Sequence, residues 1–443
     1  MPDRYLEFAS SGLGGWVVEA LGLPKPAPLL RRGEGEAPPS LPLLLGPPTA
    51  DGRMGPVLMR LAAGSGVEIH HAWTPDVRYG GLVFDASACL DVAATQGLYR
   101  FFHQAIRSVA EHGRIVVVGI PPETAKTAEG EAIQRGLEGF VRSLAKEARR
   151  SIAVQLLYVT PGREDQAQST LAFLLSPRSA YVSGQVIRVG AAAVAADPAV
   201  GHAGRQVLVT GAARGIGEAI VRLFVAEGAK VTALDVPSAQ DDLRALAQEL
   251  GVDPLALDIT APEAAGVLLK TARARGGFDV VVHNAGITRD RTLGRMDERE
   301  WNSVMAVNLG APLALTRVLL EAGAVRRNGR IVAVSSLSGV AGNMGQTNYA
   351  LSKAGWIGAV GRMARDGLDH GITVNAVAPG FIETRMTAAI PFAIREAGRR
   401  MNSMGQGGSP VDVAETIAWL AHPASGGVNG QVVRVCGQSL LGA

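Results

Sequence analysis

Cysteine is nearly absent: Cys89 and Cys436 are the only two in a chain of 443 residues. Two thiols cannot build a disulfide framework, and they read as small hydrophobes of a reducing compartment. Charge of one sign is equally scarce. Lysine and arginine total 43, aspartate and glutamate 40, and the net charge is +3 with the two signs interspersed. Nucleic acid is therefore not an expected partner, because binding a phosphate backbone needs a basic surplus on one face. No run approaches the roughly 20 apolar residues that cross a bilayer. The N-terminus, MPDRYLEFASSGLGGWVVEALGLPKP, has early acidic residues and short apolar runs, unlike a secretion signal. Metal-ligand spacing is missing too, since His70 and His71 stand without thiol or acidic partners at ligand spacing. The expectation is a cytoplasmic chain with no membrane partner and no metal.

What is plentiful is glycine, 55 residues without a collagen-like period. That excess suits an α/β protein with many tight strand-to-helix turns. The length calls for two or three domains. The segment AAAVAADPAVGHAG, Ala191 to Gly204, is rich in small residues and lacks periodicity, so it reads as a linker between domains at 1–190 and 205–443.

The two sides of that linker repeat each other. GRIVVVG at Gly113 recurs as GRIVAVS at Gly329, and GQVIRVG at Gly184 recurs as GQVVRVCG at Gly430. Matches in the same order argue for duplication. The second copy carries an insertion, FIETRMTAAIPFAIREAGRRMNSMGQGG, after Gly380. It follows a strand end, where open α/β sheets bind ligands, so a substrate lid is expected there. Short β-branched runs such as QVLVTG, KVTALD, FDVVVH and ITVNAVAP alternate with longer helical patterns. That alternation predicts two doubly wound parallel-sheet domains of Rossmann-like α/β class. VEIHHAW is followed almost at once by GGLVFDAS, so the N-terminal domain is expected to be shorter by one strand-helix unit, and degenerate.

TGAARGIG, Thr210 to Gly217, lies between a predicted strand and a predicted helix. Glycines at 211, 215 and 217 permit a tight turn whose amides approach a pyrophosphate at a helix N-terminus. Eighteen residues on, VTALD ends in Asp235. A carboxylate there accepts hydrogen bonds from both adenosine-ribose hydroxyls and repels a 2′-phosphate, which predicts NAD(H) rather than its phosphorylated form. Asp258, expected to end the following strand in ALDIT, is a partner for the adenine amino group.

Ser336 lies thirteen residues before Tyr349, and Lys353 four after it. Positions i and i+4 share one helix face, so the phenol and the ammonium can enter one site. Carbonyl reduction needs a proton for the forming alkoxide, and a free phenol with pKa about 10 holds its proton too tightly. A nearby ammonium is expected to lower that pKa, with the Ser336 hydroxyl donating to the oxyanion and Lys353 also holding the nicotinamide ribose.

TGAARGIG, HNAG (His283 to Gly286), VNLG with Asn308, SSLSG, YALSK and PGFIET together resemble the short-chain dehydrogenase/reductase family over nearly all of 205–443. Within it, NAGITRDRTLGRMDEREW and GQTNYALSKAG resemble 3-oxoacyl-(acyl-carrier-protein) reductases. The whole chain resembles their high-molecular-weight bacterial form, whose extra domain is flavodoxin-like. The resemblance implies reduction of 3-oxoacyl thioesters of coenzyme A or acyl carrier protein, and a homodimer or higher homo-oligomer. Tyr349 would be the general acid, Ser336 the carbonyl donor, Lys353 the ribose anchor, and Asn308 the holder of a relay water. The cofactor would be lined by Gly211, Arg214, Gly215, Ile216, Gly217, Asp235, Asp258, Ile259, Asn284, Ala285, Gly286, Tyr349, Lys353, Pro379, Gly380, Ile382 and Thr384. His283 departs from the family's usual asparagine and is read as a packing variant. Arg327 occupies one carrier-recognition position, but His370 stands where arginine is expected, which keeps a coenzyme A thioester open. An NAD-dependent alcohol dehydrogenase on a non-thioester substrate is the enzymatic alternative, and a partner-binding scaffold the non-enzymatic one. In the first half, EAIQRGLEGF holds neither tyrosine nor lysine, and GPPTADGRMG has altered glycine spacing with Pro47 and Pro48 lacking amide donors. A structural or substrate-gating role is expected there, rather than flavin binding.

Overall fold

The computed structural model describes residues 3–21, 25–33, 41–46, 53–194, 196–197, 199–388 and 391–440. Pro47 and Pro48, two linker residues (Ala195 and Pro198) and the end of the C-terminal tail lie outside the described residues. By contacts the chain forms two compact units. The first comprises Met1–Ala191, Met386–Gly408 and Val435–Leu440, and the second Ala192–Arg385, Ser409–Arg434 and Leu441–Ala443.

The first unit contains β1 (Leu43–Gly46), β2 (Ile69–His70), β3 (Tyr79–Asp85), β4 (Val109–Gly119), β5 (Ala153–Val159) and β6 (Gln185–Val189). They form one sheet in the order β2-β1-β3-β4-β5-β6. The second unit contains β7 (Gln206–Thr210), β8 (Lys230–Asp235), β9 (Asp253–Ala256), β10 (Phe278–His283), β11 (Val325–Val334), β12 (Thr373–Pro379) and β13 (Val432–Val435). Their order is β13-β12-β11-β10-β7-β8-β9. The expected doubly wound parallel sheets are therefore present, and the first is one strand shorter. Every residue of β5 and of β12 is buried, which is why these strands read as unbroken apolar runs: helices cover both faces.

The internal repeat extends to side-chain detail. In β4 the pairing with β3 jumps from Val109 to Arg114, and in β11 the pairing with β10 jumps from Val325 to Arg330. Each bulge contains a left-handed non-glycine residue, His112 at φ 61° and Asn328 at φ 58°. Arg114 then donates to the carbonyls of His112, Gly113 and Ser176. Arg330 does the same to Asn328, Gly329 and His422. GRIV thus recurs because a buried guanidinium ties the bulge to the start of the turn before the last strand.

One helical run, Glu298–Glu321, is long and apolar enough in composition to cross a bilayer. Its Leu315 and Leu319 are buried in the apolar cluster of the second unit.

Candidate active site

At the carboxyl ends of β7, β8 and β10 three turns lock together. A Cβ on Gly217 would lie 1.8 Å from the Gly211 carbonyl oxygen, so only glycine lets the helix Gly215–Ala226 begin so close to the strand. Gly211 sits at φ 66° with Ala285 against it, where a Cβ would meet the Ala285 Cα at 2.8 Å. Asn284 Nδ2 donates to the carbonyls of Thr210 and Gly211 at 3.1 and 2.8 Å. The Thr210 hydroxyl accepts from the amides of Asn284 and Ala285 at 3.1 Å each. Among the described residues no side chain caps the helix that begins at Gly215, and Arg214 before it is exposed. An uncapped, glycine-lined N-terminus is suited to a pyrophosphate, so these residues fit a dinucleotide.

Asp235 closes β8 as expected, and its carboxylate accepts from the Ala213 amide at 2.9 Å. Asp258 differs from expectation. β9 ends at Ala256, and Asp258 stands exposed two residues beyond, capping the amide and hydroxyl of Thr260 at 2.9 and 2.7 Å. Its neighbour Ile259 is buried, and Ile216 half-buried. Pro379 closes β12, Gly380 follows, Ile382 is buried, and the Thr384 methyl lies 4.0 Å from the Cβ position of Gly215.

Ser336, Tyr349, Lys353 and Asn308 gather beside this turn. Ser336 follows β11 and caps the helix Leu337–Ala341, its oxygen accepting from the Ser338 amide at 3.1 Å. Tyr349 and Lys353 lie on the helix Thr347–Asp366, with Lys353 Nζ 5.7 Å from the Tyr349 ring centroid. Asn308 sits in a π-helical turn, Ala306–Gly310. Such a turn widens the helix by one residue and is common where a side chain must be re-aimed. The Asn308 amide is held by Ile287, whose N–H it accepts at 2.8 Å and whose carbonyl it donates to at 3.0 Å, and by the Ser352 hydroxyl at 3.1 Å. Its backbone carbonyl accepts from Trp356 Nε1 at 2.9 Å, leaving one lone pair for a water. A Cβ on Gly286 would lie 3.2 Å from Lys353 Nζ and 3.3 Å from Asn308 Oδ1, so Gly286 keeps the floor of this site open.

The electrostatics correct one expectation. Burial pushes the Tyr349 phenol up, not down; the Ser336 hydroxyl opposes this by hydrogen bonding to it, and Asp290 adds to the rise. Lys353 is wholly buried, donates to the Val334 carbonyl at 2.8 Å, and is pushed down to about 8 by desolvation. The desolvation of both groups outweighs the attraction that the i, i+4 spacing suggests.

A family model described as enoyl-(acyl carrier protein) reductase matches residues 211–437, just over half of the chain. The 3-oxoacyl-[acyl-carrier-protein] reductase of Thermotoga maritima is 43% identical over 240 residues, 53% of this chain and 97% of that protein. The chain belongs to the short-chain dehydrogenase/reductase family. The Vibrio cholerae 3-oxoacyl-[acyl-carrier-protein] reductase is 42% identical over 237 residues, 53% of this chain and 96% of its own length. Nodulation protein G of a Rhizobium species is 41% identical over the same extent. As a short-chain dehydrogenase/reductase the chain is an oxidoreductase, and the similarity to 3-oxoacyl reductases holds over its second half.

Three residues of this family site escaped the sequence reading. Ser335 donates to the Lys353 carbonyl at 2.6 Å, Ser352 links the Asn308 amide to the Tyr349 carbonyl, and Thr210 anchors the HNAG turn. All three lie inside or beside the motifs already quoted, which was the available signal. His283 is buried against Trp356, with rings 5.4 Å apart and nearly parallel. Burial pushes it down to about 4, so it is neutral. Thr316 donates its single proton to the Pro312 carbonyl, so it accepts from His283 Nε2 at 2.7 Å, and Nδ1 has no partner among the described residues.

The first unit closes the corresponding positions. Gln134 is the seventh residue of the helix Ala128–Glu147, as Lys353 is the seventh of its own helix. Its amide accepts from the Ile120 amide and donates to the carbonyls of Ala86 and Cys89. At the start of the helix Gly55–Ser65, the Asp85 carboxylate accepts from the Met54 amide at 3.3 Å, so this helix N-terminus already faces an anion of the chain. The Phe101 ring lies against Gly46, 2.3 Å from its Cβ position.

Proposed function

We propose that the chain reduces 3-oxoacyl thioesters to 3-hydroxyacyl thioesters with NADH, through Tyr349, Ser336, Lys353 and Asn308. The observation that carries the reading is the convergence of these four side chains beside the glycine turn, in the half that is 43% identical to a 3-oxoacyl-[acyl-carrier-protein] reductase. When bound, NADH supplies the hydride. The Ser336 oxygen accepts from an amide and its hydroxyl lies within hydrogen-bonding reach of Tyr349, so the two hydroxyls can meet on the substrate carbonyl, where Ser336 donates to the oxygen as charge grows on it. Tyr349 gives its proton to that oxygen, producing the 3-hydroxyl group. Lys353, when charged, stabilises the resulting phenolate and donates to the ribose. Asn308, fixed on three sides, holds a water through its remaining carbonyl lone pair and so returns a proton toward the lysine and tyrosine.

Asp235 supports NADH, because a 2′-phosphate would be brought against a carboxylate already held in place by two amides. Arg327 Nη2 reaches the carbonyl of Asp369, beside His370, so the two carrier-recognition positions adjoin. A histidine there cannot offer a carrier protein the five-donor guanidinium fork of arginine, which favours a coenzyme A thioester. We further propose a cytoplasmic homodimer or larger homo-oligomer, which light scattering of the purified chain measures.

The test is NADH oxidation with acetoacetyl-CoA, a long-chain 3-oxoacyl-CoA, a 3-oxoacyl carrier protein and a simple ketone. Turnover of the thioesters is expected. Activity with the simple ketone alone overturns the reading, and kcat/KM for NADPH equal to that for NADH overturns the cofactor assignment.

A further inference from the structure

The first unit contains a cleft of about 970 Å³ far richer in cations than anions. Lys25, Lys146, Arg149, Arg150 and Arg400 line it, against one carboxylate, Glu396. Two of the five are committed. Arg400 binds both Asp3 oxygens at 2.6 Å and lies over the Tyr5 ring at 4.9 Å, and Arg150 donates to the Val109 carbonyl at 3.0 Å. The side chains of Lys25, Lys146 and Arg149 have no hydrogen bond or ion pair among the described residues, and all three residues are exposed.

The turn that presents the arginines is not the one the fold requires. Arg149, Arg150 and Ser151 are consecutive left-handed residues, with φ of 34°, 50° and 55°. β5 and β12 stand in the same register on their neighbours, Arg114 facing Ala153 and Arg330 facing Thr373. The matching turn of the second unit is therefore Asp369, His370 and Gly371, in which only the glycine is left-handed, at φ 67°. Glycine adopts that conformation freely; arginine and serine do so at a cost. The first unit keeps the costly version, pinned by the Ser151 hydroxyl on the Ala27 carbonyl at 2.6 Å and by the His112 amide on the Arg150 carbonyl at 3.0 Å. Strained non-glycine turns persist where the side chains they aim have a use.

We propose that this cleft binds a nucleotide carrying two or more phosphate groups. The size suits a molecule of that class and not a macromolecular surface. Unpaired lysines and an arginine would receive the phosphates, and Phe392, 63% exposed and with the Arg395 guanidinium 5.7 Å from its ring centroid, has its other face for a base. The phosphates and base could belong to a free nucleotide or to the 3′-phospho-ADP portion of coenzyme A. The inference does not rest on the reaction proposed above and is read by binding, not turnover, so the two can fail separately.

Full-length protein is titrated calorimetrically with ADP, coenzyme A and inorganic pyrophosphate, beside a Lys146→Gln/Arg149→Gln variant. Two ADP sites per chain are expected in the parent and one in the variant, with NADH affinity unchanged at the dinucleotide turn. Neutralising two unpaired cations should weaken the cleft site by about tenfold or more at 0.1 M salt, less at higher salt. Coenzyme A tighter than ADP identifies its 3′-phosphate as part of the ligand; equal affinities identify a nucleoside diphosphate. Lys25→Glu, a single exposed change, should reproduce the loss if the double variant folds poorly. One ADP site in the parent, an isotherm unchanged in both variants, or pyrophosphate binding as tightly as ADP overturns the proposal.

Discussion

The Asp235 carboxylate accepts the Ala213 amide at 2.9 Å through one oxygen and the Val236 amide at 2.8 Å through the other. It therefore shapes the phosphate turn as well as supplying charge, and the two roles separate by mutation. Asp235→Asn removes the charge and keeps one acceptor for the buried Ala213 amide, leaving the exposed Val236 amide to water, so the kcat/KM ratio of NADPH to NADH should rise on the order of tenfold at a small stability cost. Asp235→Ala also strands the buried Ala213 amide, costing about 1–3 kcal/mol in urea unfolding. A cofactor ratio unmoved in the asparagine variant would show that Asp235 is only a turn residue.

Lys353 carries a stability cost. Its folded value near 8 lies below its usual 10.5, so the penalty is full below pH 8 and fades as pH rises toward 10.5. That shift corresponds to on the order of 3 kcal/mol. Lys353→Met strands the Val334 carbonyl but relieves the charge, so at pH 7 it should unfold at higher urea than the parent while losing turnover. The advantage should vanish near pH 10.5. Because the Tyr349 phenol is pushed up, it keeps its proton through neutral pH. Loss of reduction on the alkaline side should follow Lys353, with kcat/KM falling near pH 8.

The second half was legible because its chemistry sits in short motifs: TGAARGIG, HNAG and YALSK each place their residues by local geometry. The repeat was legible for the same reason, since GRIV and GQV mark a bulge and a strand in both units. What eluded sequence reasoning depends on surroundings. The direction of the Tyr349 shift is set by burial, which spacing does not report. The end of β9 at Ala256, short of Asp258, depends on pairing with β8. Contacts such as Gln406 with Leu29, 377 residues apart, leave no local pattern.

His283 is neutral near pH 7 because burial takes it down to about 4. Its folded value lies below its usual 6.5, so its contribution is intact above pH 6.5 and is lost as pH falls from 6.5 to 4, by on the order of 3 kcal/mol. His283→Asn should flatten that part of the acid-unfolding curve. The pH profile of kcat/KM above 6.5 should match the parent, since a group already neutral there contributes no titration. A displaced profile would mean that His283 takes part in the proton path.

Gln406 ties the inserted segment of the second half to the N-terminal segment within the first unit. Its side chain accepts the Leu29 amide at 3.2 Å and donates to the Ala27 carbonyl at 2.6 Å. The Gln406 carbonyl in turn accepts from Tyr181 and Asn402. Gln406→Ala leaves the buried Leu29 amide unpaired and the Ala27 carbonyl with only the Ser151 hydroxyl, a local cost of about 1–3 kcal/mol. Residues 386–408 should then be cut faster in limited proteolysis while the second unit resists, because the loosened contacts belong to the first unit alone. If the segment closes over a thioester, KM for a long-chain 3-oxoacyl-CoA should rise more than kcat falls, while acetoacetyl-CoA is little affected. Faster proteolysis with both substrates unchanged would separate the insertion from catalysis and leave it a structural clasp of the first unit.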